Sequence, residues 1–273
     1  LSPAQGYGCR CRSLRHASKE GMSELLAEAV SSTLALGPDR SYACFCFGTE
    51  HCASAILTKL TASGRLQAWV AEPAAASAGE GHTLEARDER LAVLRGRPGE
   101  LASSSEEPLA GVLLHLGSPP LSGGAEGPAW LEEWLQTASA TELAGALDTF
   151  GSLHDRLLAE RLAEAALLLR RRAGALSGLE ALRQALEELR PEFAESHPNL
   201  HSAQLVRAAA AAARQESEQL AQLLEACFKR LEPFGRCAIV TFNPWELAAL
   251  RGFLHSHEEP SSEVTAAISS ARL

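Results

Sequence analysis

The chemistry-bearing residues of this chain gather first between Ser41 and Leu57. SYACFCF has strand character, FGTEH forms a turn and CASAIL opens a helix. A strand running straight into a helix N-terminus is where α/β folds bind nucleotide cofactors, because the strand ends leave a crevice and the helix end offers unpaired N–H groups. Such a loop needs small residues where the backbone approaches the ligand. Here Phe45, Glu50 and His51 stand where glycine is expected, and Gly48 is the one glycine of the turn. Cys44, Cys46 and Cys52 lie beside His51, and all four are metal-ligating types. No second ligand pair occurs at zinc spacing, and Cys44 and Cys46 alternate with Phe45 and Phe47 as the residues of a buried strand do. The cysteines therefore read as small core residues, and no metal site is expected. Nucleophilic catalysis has little support: the sequence holds no Gly-x-Ser-x-Gly elbow and no phosphate loop ending in Gly-Lys-Ser/Thr.

The elements that must position this loop can be read along the chain. Helical spacing of Leu, Ala and Val covers 22–36. The spacing predicts strands at 41–47, 66–72, 89–96 and 109–117, with a helix over 52–61 and a loop at 118–128, SPPLSGGAEGP. The pattern then changes, and 129–190 is helical almost throughout. Thr141 suits an N-cap, Gly151 a stop, and Pro191 the end of the run. One long helix is expected over 202–231, PFGR as a turn, a fifth strand at 236–242 and a helix from Asn243 on. Alternating strands and helices followed by helices alone imply a parallel sheet interrupted by a helical insertion, with the last strand returning to complete the sheet.

Composition narrows the function classes. With 273 residues the chain can bury a sizeable core. A net charge of −9 argues against broad nucleic-acid binding but leaves room for a local basic patch. No run approaches the ~20 apolar residues of a membrane helix. Seven cysteines, an odd number in a large chain, fit a reducing compartment better than a disulfide framework. Residues 1–21 form a basic segment with Arg10, Arg12, Arg15 and Lys19. It reads either as the tail of an organelle transit peptide, mitochondrial or plastid, or as a disordered terminus of a cytoplasmic protein. Among other basic groups, Arg170, Arg171 and Arg172 end a helix and suit either its dipole or a phosphate.

Taken in order, several blocks resemble the small-subunit ribosomal RNA cytosine-N4 methyltransferases. These are LLAEAV (25–30), GRLQAWVAEP (64–73), GVLLHLG (111–117), EWLQTAS (133–139), DTFG (148–151), HPNLHSAQLVR (197–207) and LEPFGRCAIVTFNPWE (231–246). The resemblance spans roughly 24–254. It implies a Rossmann-like, class I S-adenosylmethionine-dependent methyltransferase fold with an all-helical insertion at 129–215, the α/β domain being 22–128 with 216–273.

The departures fall on the pocket that the resemblance implies. The family loop Asp-Gly-Thr-x-Gly-x-Gly-Gly-His is here CFCFGTEHC, Cys44–Cys52, which keeps Phe47 and Gly48. Val70 stands where an acid would hold the ribose hydroxyls, and Glu72 matches a second acid two residues on, on the same side of the strand. His115 replaces the acid before Leu116-Gly117. Ser118-Pro119-Pro120 is similar to an amino-methyltransferase tetrapeptide, but Leu121 is not the aromatic that completes it. The family's long closing loop is represented by about ten residues before Trp130. After the last strand the family's His and Asp are absent; Asn243 and Glu246 remain.

The resemblance thus implies cofactor contacts at Phe47, Gly48, Glu72 and Gly117, and leaves Asn243 and Glu246 as catalytic candidates. His197, Gln204 and Arg207 are either RNA or substrate contacts or packing residues. S-adenosylmethionine is the implied cofactor if the protein is active, and none if it is not. Small-subunit ribosomal RNA or ribosomal proteins are the implied partners, and the oligomeric state is open. Two functions are compatible with it: a non-catalytic ribosome-binding or assembly factor, expected first, and an active rRNA cytosine-N4 methyltransferase.

Overall fold

The computed structural model describes residues 29–46, 51–71, 88–116, 128–151, 153–173, 177–241 and 243–258. Its centre is a five-stranded parallel sheet in the order β3-β2-β1-β4-β5. The strands are β1 Ser41–Cys46, β2 Arg65–Ala71, β3 Leu91–Gly96, β4 Leu109–His115 and β5 Leu231–Val240. The chain lays down β1, β2 and β3 outward, then returns to the other side of β1 for β4 and β5. That reversal creates a crevice at the carboxyl ends of β1 and β4, as in Rossmann-like sheets. The fold is α/β, of the class I methyltransferase-like, Rossmann-like kind.

A parallel sheet must be covered on both faces, and its strands read as apolar runs for that reason. Tyr42, Cys44, Leu66, Ala68 and Leu113 point to one face, where Ile56 and Leu57 of α1 (His51–Leu57) pack. Ala43, Phe45, Trp69, Val112 and Leu114 point to the other. There they meet Leu220, Leu223 and Leu224 of α8 (Glu216–Arg230) and Trp245 and Phe253 of α9 (Pro244–Glu258). The short helix α2 (Pro98–Ser103) contributes Ala102 to the same layer and is not signalled by the sequence pattern.

Between β4 and β5 the chain builds a separate hydrophobic cluster from helices. These are α3 (Ala129–Thr137), α4 (Ala140–Phe150), α5 (Arg156–Ala173), α6 (Gly178–Phe193) and α7 (Ser202–Ala213). Leu131, Leu147, Leu162, Leu182 and Leu205 are fully enclosed there. Glu132 of α3 accepts hydrogen bonds from the N–H groups of Gly178 and Leu179, so one helix caps the start of another. Gly151, expected as a stop, closes α4 because any Cβ there would lie 2.3 Å from the Leu147 carbonyl oxygen.

Four local expectations shift. The cap of α4 is Ser139, not Thr141. The Ser139 hydroxyl accepts from Glu142 N–H at 3.2 Å and the Glu142 carboxylate accepts from Ser139 N–H at 2.9 Å, a reciprocal box that Thr141 cannot form. Pro191 lies inside α6, which continues to Phe193 because that ring is buried in the core. The long helix over 202–231 is two helices, broken at Gln215, whose φ of 54° is left-handed without glycine. The PFGR turn is a bulge within β5, with Phe234 at φ 68° and the register jumping from Leu109↔Leu231 to Gly111↔Arg236. Replacing Ser139 by alanine is expected to cost about 1 kcal/mol in urea unfolding. Thr141→Ala is expected to change stability by less than about 0.5 kcal/mol.

Candidate functional site

The carboxyl edge of the sheet holds a cavity of about 170 Å³. Phe45 and Leu116 come from the ends of β1 and β4, Trp245 and Glu246 from the start of α9, and Arg214 and Gln219 from the α7–α8 junction. The kink at Gln215 is what brings Arg214 to this edge. Its guanidinium lies 4.5 Å from the Trp130 ring centroid and 3.4 Å from the Glu216 carboxylate. Arg214 Nε and Gln219 Oε1 are buried without a hydrogen-bond partner. A donor and an acceptor thus remain unmet beside the cavity, which suits a small polar group more than an apolar one. Sequence reading missed both residues; the one signal was the change from six alanines to Arg-Gln-Glu at 214–216.

Asn243 and Glu246 are brought together. Asn243 Nδ2 donates to Glu246 Oε1 at 2.6 Å, Asn243 N–H to Oε2 at 3.2 Å, and the Thr241 hydroxyl to Oε2 at 2.7 Å. Glu246 is 3% exposed. This is the N-terminal cap of α9, with the carboxylate at the helix's positive end. The arrangement orders the turn after β5. The three donors occupy both carboxylate oxygens, so the group serves the turn and the helix start.

His115 ends β4 opposite Cys46 and Val240, and it is buried. Burial pushes its pKa below the usual histidine value, so it stands neutral at physiological pH. Val70 sits near the end of β2 beside Arg95. Its side chain has no atom that could accept a ribose hydroxyl. Among the described residues, then, Val70 supplies no acceptor for the ribose of S-adenosylmethionine, and Glu246 is bonded to Asn243 and Thr241. Phe47, Gly48, Glu72 and Gly117, with Ser118–Leu121, lie outside the described residues.

His197 lies in the connection between α6 and α7, and Gln204 and Arg207 lie on the first half of α7; none of the three lines the cavity, to which α7 contributes its last residue, Ala213. The His197 ring sits 2.9 Å from the Ser196 hydroxyl and 3.4 Å from the Leu153 carbonyl, and Gln204 Nε2 donates to the Gly151 carbonyl. These two contacts tie the α4–α5 connection to the segment entering α7. Arg207 is exposed and donates to Ala203 of its own helix. Arg170 donates to the Leu135 carbonyl, while Arg171 and Arg172 face solvent. Cys44 and Cys52 are buried in the core. Among the described residues no three His, Cys, Asp or Glu side chains cluster as metal ligands would, and no helix is long and apolar enough to cross a membrane.

Against known proteins, the chain aligns along most of its length with curated bacterial sequences named ribosomal RNA small subunit methyltransferase H. The protein of Azoarcus sp. (strain BH72) is 29% identical, with 89% of this chain and 82% of the relative aligned. That of Nitrosococcus oceani is 29% identical over 84% and 78%. That of Cupriavidus metallidurans is 27% identical over 100% and 86%. This chain is a divergent relative of those proteins. No protein-family model matches it. Two solved structures align weakly: a riboflavin-derivative dimethyltransferase from Streptomyces davawensis and a candidate sarcosine dimethylglycine methyltransferase from Galdieria sulphuraria. The first is 16% identical with a TM-score of 0.28, covering 44% of this chain and 35% of its own. The second is 11% identical with a TM-score of 0.31, covering 71% and 80%. The fold is assigned on the strand order, not on these two.

The site geometry leads to two expected outcomes. Glu246→Gln replaces a full acceptor by an amide that must turn its NH₂ toward one of its donors. A loss of about 1–3 kcal/mol in chemical unfolding is expected, and Asn243→Ala in the same background should add less than it does alone. For His115, the folded pKa lies below the unfolded one, so the unfolded chain takes up the proton first. Stability is complete above the unfolded value and falls as pH drops below about 6.5. Replacing His115 by glutamine should flatten that part of the stability–pH curve.

Proposed function

We propose that this protein is a methyltransferase-derived binding factor that docks on small-subunit ribosomal RNA or ribosomal proteins and does not transfer methyl groups. The observation that carries the reading is the commitment of Glu246: the matched carboxylate after the last strand accepts from Asn243 and Thr241 and is buried as a helix cap. Val70 and the neutral His115 support it, since neither supplies the negative oxygen their positions would need in a cofactor pocket. The relatives' name points to small-subunit ribosomal RNA as the molecule recognised. In this reading the α/β part, 22–128 with 216–273, is a retained scaffold and the insertion 129–215 carries recognition. Exposed Arg171 and Arg172 at the end of α5, and Arg207 on α7, are its candidate phosphate contacts, local basic groups on a chain of net charge −9. The setting is a reducing compartment that contains ribosomes, the cytoplasm or an organelle matrix.

The second reading is an active S-adenosylmethionine-dependent rRNA cytosine-N4 methyltransferase. The cavity at the carboxyl ends of β1 and β4 favours it, since that is where a Rossmann-like sheet holds its cofactor. Isothermal calorimetry with S-adenosylmethionine separates the two. The binding-factor reading expects no heat at millimolar ligand together with salt-sensitive binding of a small-subunit rRNA fragment, weakened by Arg171→Glu/Arg172→Glu. Micromolar cofactor binding would overturn it in favour of the enzyme.

A further inference from the structure

Helix α5 carries its core residues on one side. Leu158, Ala159, Leu162, Ala163 and Ala166 are buried in the helical cluster. On the opposite side, Leu157, Arg161, Glu164 and Leu168 recur at intervals of four, three and four, which places them on one stripe. Leu157 is 67% exposed and Leu168 50%, and these are two of the four large apolar side chains standing in solvent among the described residues. Arg161 reaches Glu192 of α6, and both retain about half their exposure. Among the described residues Glu164 makes no hydrogen bond or ion pair.

The stripe is complementary to itself when reversed. Leu157 and Leu168 lie equally far from the point between Leu162 and Ala163, and so do Arg161 and Glu164. Two copies of α5 laid antiparallel about a two-fold axis at that point bring each Leu157 against the other chain's Leu168. The same placement sets each Arg161 against the other chain's Glu164. Beside Leu157 a groove of about 120 Å³ opens between α5 and α6, floored by Leu158, Leu189 and Phe193 and edged by Arg161 and Glu192. It can receive the Leu168 knob. A guanidinium has five N–H donors, so Arg161 can keep Glu192 while meeting a second carboxylate.

We propose that this face of α5 is a self-association surface, on which a second copy of the chain docks antiparallel through Leu157–Leu168 and Arg161–Glu164 contacts. Both contacts occur twice, as an isologous interface requires. A single helix pair buries less than the ~800 Å² per partner of a standard interface, so the dimer is weak, dissociating between about 1 and 100 µM.

Sedimentation velocity over that concentration range tests the surface. The expected result is a shift from the 29.0 kDa chain toward twice that mass. It should be lost in Leu168→Glu and in Arg161→Glu, and regained when Arg161→Glu is combined with Glu164→Arg. A chain that stays monomeric throughout, or a dimer indifferent to Leu168→Glu, overturns the proposal. Covalent trapping gives a second readout on the full chain. Positions 157 and 168 are about 16 Å apart along one helix, too far for a disulfide within a chain. Leu157→Cys/Leu168→Cys treated with diamide should therefore cross-link between chains, while wild type and either single variant should not. Equal cross-linking of wild type or of a single variant would count against the antiparallel pairing.

Discussion

One buried guanidinium ties the segment that closes the sheet to the strands laid down before it. The chain leaves the sheet at His115 and returns at Leu231, after the whole helical segment. Arg230, the last residue of α8, is 6% exposed at the point of return. It donates to the carbonyls of Glu107 and Ala102 and to the Gln67 side chain, and it lies 5.5 Å from the Trp69 ring centroid. Those acceptors come from the lead-in to β4, from α2 and from β2. A cation taken out of water is tolerated only when its donors are met, and here the partners exist only if α8 lies across this face of the sheet. Burial lowers the Arg230 pKa from its ordinary value, yet the contacts are those of the charged form. Once α8 is placed, three neighbouring features are set. β5 enters beside β4, Arg214 and Gln219 reach the carboxyl edge, and Cys227 is sealed under the helix with its thiol pushed well above the usual range.

The cavity at that edge depends on the same placement. Its walls carry Arg97 and Arg214 against Glu216 and Glu246, so the charges balance. Both carboxylates lie at helix starts, Glu216 on α8 and Glu246 on α9, where the partial positive charge of the helix favours them. In a nucleotide site such helix ends are left open for a ligand's negative groups. Here the protein supplies those groups itself. What remains unmet is one donor–acceptor combination, Arg214 Nε and Gln219 Oε1, rather than an uncompensated charge.

Strands were legible because parallel-sheet strands buried on both faces read as unbroken apolar runs bounded by turns, as at SYACFC and GVLLH. That they form one parallel sheet, with the last strand returning after the helical segment, was legible from the alternation with helices; the order of the strands comes from the structure. What stayed hidden depends on a single residue overriding its local preference. Gln215 adopts a left-handed φ with nothing in its side chain to announce it, because the packing of α7 and α8 on different clusters outweighs the local cost. Pro191 looked like a stop, but a buried Phe193 two residues on carries the helix past it. Ser139 and Thr141 are equally good caps by type. Only the glutamate three residues after Ser139 decides between them, and that spacing is visible in the sequence.

Of the candidate site, residue types at single positions were legible, and their uses were not. Asn243 and Glu246 match by type, and type alone cannot say whether a carboxylate faces a substrate or its own backbone. The structure assigns Glu246 to backbone and neighbours, and Gln204 to the Gly151 carbonyl. In both cases the polar group satisfies a part-buried main-chain atom, and leaving such an atom buried and unpaired costs roughly 1–3 kcal/mol. A residue under that demand is held in place by the fold itself, since its removal would weaken it. A residue that served only a ligand, like the acid expected at Val70 or at His115, carries no such demand and is free to change. Glu246 and Gln204 are thus accounted for by the stability of the fold alone, whether or not this edge also serves a ligand.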